Sequence, residues 1–255
     1  MTKILLFDLD GTLLRSDKTI SPATFAAIET VRNKGILIGI STARSVLTAG
    51  SYLQQLRPDL AITGSGALVC WQGEEIYRVE FTEEETRSLI ARARELAGAD
   101  CEITVDTVAQ YFENYHTWVH DPSMGETIHT DYENFNERAQ KFCAFLKNGD
   151  LAPLLAQCVD DCHYVRFSGT DWYMFTRTGV SKARAMEAFS RRSGIPMADM
   201  CAFGDDYSDM EMLKLCGRGI AMGNAIEPVK AIADEVIGTN DADGIAHYLA
   251  NIYDL

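Results

Sequence analysis

The sequence predicts an α/β fold, a doubly wound parallel sheet interrupted by an inserted α+β unit, and three observations carry this expectation. Apolar strand-like runs alternate with helical patterns over the first third of the chain. At Thr82 that rhythm gives way to short strands joined by tight turns. From Ser181 the alternation resumes and holds to the last helix. The 255 residues suffice for a Rossmann-like core plus an insertion, without disulfide staples.

Residues 3–7 (KILLF) form a continuous apolar run, the pattern of a parallel strand covered on both faces. Ser21-Pro22 supplies an N-cap and a proline at the first helical position. Phe25, Ile28 and Val31 follow at helical spacing, and Gly35 ends that helix. Residues 36–40 (ILIGI) read as a second strand, 44–56 as a second helix and 60–63 as a third strand. Such strands need right-handed crossovers and so lie parallel. Thr82 and Glu85 form a capping box for the next helix. Strands over 102–105 and 110–115, helices around 133–146 and 151–157, and strands over 163–168 and 172–176 fill the insertion. The core then returns: a helix over 181–192, a strand over 200–203 and a helix over 210–215. A strand over 219–222, a helix over 228–233 and a closing helix from Gly244 complete it. Residues 1–82 and 179–255 are thus expected to form one domain, and 83–178 the insertion.

Acidic residues outnumber basic ones 37 to 23, for a net charge of −14. A field of that sign repels a nucleic-acid backbone, so no nucleic-acid partner is expected. The N-terminal apolar run is interrupted by Asp8 and Asp10, unlike a signal peptide, and no run reaches membrane-spanning length. Seven cysteines without paired spacing read as reduced thiols, and a cytoplasmic location is expected. Cys158, Cys162 and His163 make a poor zinc set, because no second ligand pair follows. None of these signals speaks to oligomeric state.

Four strand-end features carry chemistry. Asp8-Leu9-Asp10-Gly11-Thr12 follows the first strand, so Asp8 and Asp10 share a face at the crevice where open α/β sheets bind ligands. Taken alone, this segment also reads as a solvated acidic turn; a calcium loop fits worse, since Thr12 and Leu13 occupy ligand and glycine positions. Gly204-Asp205-Asp206-Tyr207-Ser208-Asp209 follows another strand, and carboxylates from two strand ends suit one hard cation such as magnesium. Its plain alternative is an N-cap with an acidic first turn. Ser41-Thr42-Ala43-Arg44 offers a hydroxyl and backbone amides at a helix start, where anions bind. Ser181-Lys182 places a lysine in a first helical turn, against the dipole, which an anion would offset.

Together these motifs resemble the haloacid dehalogenase-like (HAD) superfamily, in its Cof-type phosphatase branch. DLDGTL (Asp8 to Leu13), Thr42, Lys182 and GDDYSD (Asp205, Asp209) match the four family motifs in order, and Ala221–Ala225 and Asp243–Ala246 extend the match. Four local departures accompany it: Ser65-Gly66-Ala67 for Asn-Gly-Ala, Ala43 for a glycine after Thr42, Ala183 for a glycine after Lys182, and Ser208 for an asparagine. The resemblance implies an Mg2+-dependent phosphatase acting on small phosphorylated metabolites. In it Asp8 is the nucleophile and Asp10 the general acid and base, while Thr42 and Lys182 hold phosphoryl oxygens. Asp8, the Asp10 carbonyl and Asp205 hold the cation, and Asp209 orients that set. Gly11, Arg44, Ser65, Gly66 and Asn224 are the further positions expected to contact substrate or backbone. The insertion is implied to be a cap that selects the substrate. With 17 acidic residues against 8 basic ones over 83–178, it suits hydroxyl-rich monophosphates such as sugar phosphates better than bisphosphates. A phosphotransferase or phosphomutase of the same superfamily is the alternative. A dinucleotide oxidoreductase lacks its G-x-G-x-x-G after the first strand, and a serine hydrolase lacks glycines flanking Ser65.

Overall fold

The computed structural model describes residues 2–115, 127–167 and 169–253. Cα packing divides the chain into two compact units, one comprising Met1–Ala43, Tyr52–Arg78 and Ser181–Leu255, the other Arg44–Ser51 and Val79–Val180.

The first unit is built on an eight-stranded sheet. Its strands are β1 (Ile4–Phe7), β2 (Leu37–Ser41), β3 (Leu60–Thr63), β4 (Leu68–Trp71), β5 (Glu74–Arg78), β12 (Met200–Gly204), β13 (Arg218–Ala221) and β14 (Glu235–Val236). Their order is β14-β13-β12-β1-β2-β3-β4-β5, parallel from β14 to β3 and antiparallel across β4 and β5. The apolar run of β1 is fully buried at the centre, where Phe7 stacks on Phe203 of β12 at 4.7 Å. Helix α1 (Pro22–Asn33) starts as expected, with the Ser21 hydroxyl accepting from the Thr24 amide. Helix α5 (Lys182–Ser193) is capped by Ser181 and closed by Gly194 in the left-handed region. The remaining helices here are α6 (Met210–Leu215), α7 (Glu227–Lys230) and α8 (Gly244–Tyr253). Strands β4 and β5 were not expected; Leu68 and Val69 of β4 are buried, whereas β5, at the sheet edge, is exposed or half-buried and lacks the apolar run that marks the parallel strands.

Helix α2 (Val46–Leu56) begins two residues later than the sequence suggested. The Ser45 hydroxyl accepts from the Thr48 amide at 3.3 Å, so Ser45 serves the helix start, while Ser41 ends β2 and Thr42 follows it directly.

The second unit holds a six-stranded sheet in the order β10-β11-β9-β6-β7-β8. Its strands are β6 (Ile103–Asp106), β7 (Tyr111–Glu113), β8 (Thr127–His129), β9 (Lys141–Phe145), β10 (Cys162–Arg166) and β11 (Trp172–Arg177), with helices α3 (Glu83–Ala97) and α4 (Leu151–Ala156). The helix expected over 133–146 does not form. Its second half is β9, a strand between β6 and β11, because Phe142 and Ala144 two apart fill the core under α3 and α4. The capping box at the start of α3 is made by both Thr82 and Glu85. His116 and His120, within the inserted segment 83–178, lie outside the described residues.

Candidate active site

The site grows from the register of two neighbouring parallel strands. Phe7 of β1 lies level with Phe203 of β12, so Asp8 and the Gly204-Asp205 step emerge together at the strand ends. Gly11 makes their approach possible: its φ is +79°, and a Cβ there would fall 2.3 Å from Asp205 Oδ2. Asp209, fully buried just before α6, accepts the Asp205 and Asp206 amides on Oδ2 at 3.1 Å. Asp8, Asp205 and Asp209 each bring a carboxylate oxygen within 4.8 Å of the others. Among the described residues no other group has such metal-ligand spacing; Cys158, Cys162 and His163 do not assemble one.

Lys182, at the head of α5 and 2% exposed, closes the set. Its ammonium donates to Asp8 Oδ1 and to Asp209 Oδ1, both at 2.6 Å. Burial opposes that charge, but Asp209 and Asp8 outweigh it and raise the Lys182 pKa. Burial pushes Asp8 well above the usual carboxylate range; Lys182 works against this, while Asp209 and Asp205 reinforce it. Asp205 is pushed up to about 6, first by burial, against a hydrogen bond from Thr12. Three carboxylates thus face one ammonium. The hard-oxygen donor set and the unbalanced charge fit a divalent cation such as Mg2+.

The other residues singled out in the sequence fall into place around this cluster or away from it. Phe7 is level with Ile40 of β2, which places Thr42 at the same end of the sheet, 1% exposed. The Ser65 amide donates to the Thr42 carbonyl at 3.0 Å, and Ser65 itself has φ +59°. Gly66, at φ +104°, packs so closely on Ser181 that a Cβ would sit 2.2 Å from its carbonyl oxygen. That contact presses the loop after β3 onto the start of α5. Asn224 donates to the Gly11 carbonyl at 2.7 Å and accepts from the Asn240 amide, so it makes a backbone contact. Arg44 belongs to the second unit, where it donates to the Thr48 carbonyl at 3.1 Å.

Two residues were missed. Thr12 donates to Asp205 Oδ1 at 2.8 Å, and Lys18 pairs with the Asp10 carboxylate at 2.7 Å. Thr12 stood inside the first motif and was assigned no task. Lys18 is half-exposed and eight residues from Asp10, so nothing local marked it. Its loop is pinned by Arg15 to Asp243 at 2.7 Å and by the Ser16 hydroxyl to Asp241 at 2.7 Å.

A model of the haloacid dehalogenase-like hydrolases matches residues 5–249. The chain belongs to that family. Over 99% of its length it is 28% identical to the 5-amino-6-(5-phospho-D-ribitylamino)uracil phosphatase YitU of Bacillus subtilis, covering 98% of that protein. It is also 28% identical to the HMP-PP phosphatase of Klebsiella pneumoniae, over all of this chain and 97% of that one. A haloacid dehalogenase-like hydrolase from Bacteroides thetaiotaomicron shares the fold with a TM-score of 0.86 at 24% identity, over 99% of this chain and 100% of that one. A sugar phosphatase of HAD subclass IIB superposes with a TM-score of 0.80 at 25% identity, both chains covered completely. This hydrolase stands among the family's phosphatases, and the α/β core expected from the sequence is the fold it shares with them. No described helix is long and apolar enough to cross a membrane.

Proposed function

We propose that the protein is an Mg2+-dependent phosphatase of small phosphomonoesters that works through an aspartyl-phosphate on Asp8. The observation that carries this reading is the convergence of Asp8, Asp205 and Asp209 at the strand ends, with buried Lys182 bridging Asp8 and Asp209. Asp8, Asp205 and the Asp10 carbonyl would hold the cation, which supplies positive charge against the phosphate and the carboxylates. Asp209, engaged by Lys182 and two backbone amides, keeps that set oriented.

An Asp8 oxygen attacks phosphorus and the ester P–O bond breaks, its electrons leaving with the alcohol oxygen. The Asp10 carboxyl gives that oxygen its proton. Asp10 then takes a proton from water as the water oxygen attacks phosphorus, releasing inorganic phosphate and restoring the Asp8 carboxylate. Lys182 and Thr42 face the phosphoryl oxygens, whose charge is redistributed during transfer. Residues 83–178 act as the cap that selects the organic part of the substrate, and their acidic balance favours hydroxyl-rich monophosphates, sugar phosphates among them, over bisphosphates. The seven free cysteines fit a reducing, cytoplasmic compartment.

The test is phosphate release from p-nitrophenyl phosphate with and without Mg2+. EDTA should abolish turnover and Mg2+ restore it. Asp8→Asn should lower turnover by at least about three orders of magnitude, because covalent catalysis leaves no substitute nucleophile. Near-wild-type rates in that variant would sink the mechanism; nitrophenol release without stoichiometric phosphate would point to phosphotransfer.

A further inference from the structure

Residues 14–19, between the Asp10 turn and α1, form a polar loop of the first unit. Leu14 is buried, but Arg15 is half-buried and Ser16, Asp17, Lys18 and Thr19 are exposed, so apolar burial does little to hold the loop past Leu14. Local bonds give it shape: the Arg15 amide donates to the Thr19 carbonyl and the Lys18 amide to the Arg15 carbonyl, both at 2.9 Å. Lys18, at φ +63°, turns the chain back so that its ammonium reaches Asp10 Oδ1 at 2.7 Å. The two side chains are 48% and 39% exposed. An ion pair so open to water is too weak to hold a lysine side chain in one rotamer by itself.

The anchors come from the far end of the chain, in the turn between β14 and α8. The Asn240 side-chain amide donates to the Leu14 carbonyl at 2.8 Å. The Ser16 amide and hydroxyl donate to Asp241 Oδ1 and Oδ2 at 2.8 and 2.7 Å, engaging both carboxylate oxygens. The Arg15 guanidinium donates to Asp243 Oδ1 at 2.7 Å. Across the loop, the Tyr52 hydroxyl donates to the Lys18 carbonyl at 2.9 Å. The same turn reaches the first motif through Asn224, which accepts from the Asn240 amide and donates to the Gly11 carbonyl. Asp243 sits at φ +55°, a left-handed conformation that aspartate tolerates better than most residues. The reaction described above gives the Asp243–Ala246 stretch no task.

We propose that Asn240, Asp241 and Asp243 are positioning residues for the proton transfer made by Asp10, acting through the 14–18 loop and Lys18. With the loop anchored, the Lys18 ammonium holds the Asp10 carboxyl in one orientation. With the loop released, that carboxyl spends less time where it can reach the leaving oxygen. The loss then falls on protonation of the leaving group, while attack by Asp8 and the hold of Thr42 and Lys182 on the phosphoryl oxygens are spared. The inference rests on the phosphatase reading and adds to it a dependence on residues more than 220 positions from Asp10.

The test compares kcat for p-nitrophenyl phosphate with kcat for phenyl phosphate, whose more basic leaving oxygen needs the proton more. Asp241→Ala and Asp243→Asn should each raise the ratio of the two at least about threefold, with KM held within about twofold. Lys18→Met should raise the ratio by itself, and adding Asp241→Ala to it should raise it no further, as expected of residues acting in series. Amide exchange over 14–19 should quicken in Asp241→Ala, a readout that needs no turnover. Asp243→Asn keeps a side chain suited to φ +55° and decides the matter if Asp241→Ala fails to fold, as judged by its thermal unfolding midpoint. Equal losses on both esters, a full further rise in the Lys18→Met background, or unchanged exchange over 14–19 would each overturn the proposal. Failure of the phosphatase reading shows instead as a wild type that releases no phosphate from either ester, and it takes the proposal with it.

Discussion

Asp8 and Asp209 share one ammonium while Asp205 holds a hydroxyl, so the three carboxylates differ in what each can give up. Burial pushes Asp205 up to about 6 against an ordinary 3.8. A carboxyl whose folded pKa is raised binds more protons folded than unfolded, so the contribution of Asp205 to the stability of the metal-free protein should fall as pH rises from about 4 to about 6. Mg2+ needs the carboxylate, and its stabilising shift in unfolding temperature should therefore be larger at pH 7 than at pH 5. Asp205→Asn should remove that part of the metal-free profile and the Mg2+ shift; an unchanged Mg2+ shift in that variant would exclude Asp205 as a ligand. Lys18 sets the Asp10 carboxylate in place. Lys18→Met should slow hydrolysis of alkyl phosphates several-fold more than that of p-nitrophenyl phosphate, whose leaving oxygen needs little protonation. Equal losses on both would show that Lys18 does not act through Asp10.

At the scale of elements, the site depends on how closely loops press on strand and helix ends. The loop after β3 reaches α5 only because Gly66 has no side chain and a left-handed φ. Gly66→Ala would force a Cβ into the Ser181 carbonyl and displace the start of α5, which carries Lys182. We expect this variant to lose at least about 1 kcal/mol of stability from backbone strain alone, and to lose turnover out of proportion to that. Chemical denaturation paired with kcat measures both. A variant with normal kcat would mean that the position of Lys182 does not depend on this contact. By contrast, Gly35 has φ +85° and open space around it, so only its conformation is at stake there.

Over the whole molecule, the two units carry separate cores and separate charged groups. The charged cluster gathers at the ends of β1 and β12 in the first unit, and an Asp106–Lys141 ion pair sits on the sheet of the second. Mg2+ should accordingly slow amide exchange in segments 8–13 and 204–210 of the metal-free protein and leave 103–106 and 141–145 unchanged. Protection spread evenly across both sheets would show that the cation is not bound at the first unit's strand ends.

How much of this was legible in the chain follows from the range of each signal. Apolar runs, caps and the Asp8, Asp205 and Lys182 motifs are written within a few consecutive residues, so they were readable before any packing was known. The same locality misled at 133–146, where a span that passes for a helix becomes a central strand once β6 and β11 claim Phe142 and Ala144. That Lys182 bridges Asp8 and Asp209, that Thr12 serves Asp205, and that Asn224 steadies Gly11 join residues from 27 to 213 positions apart. Such contacts depend on strand order, register and the close approach of Gly11 and Gly66, none of which a short window of sequence contains. Composition and local motif by themselves determined the chemical class; which carboxylate faces which cation was decided only when the parallel strands were laid side by side.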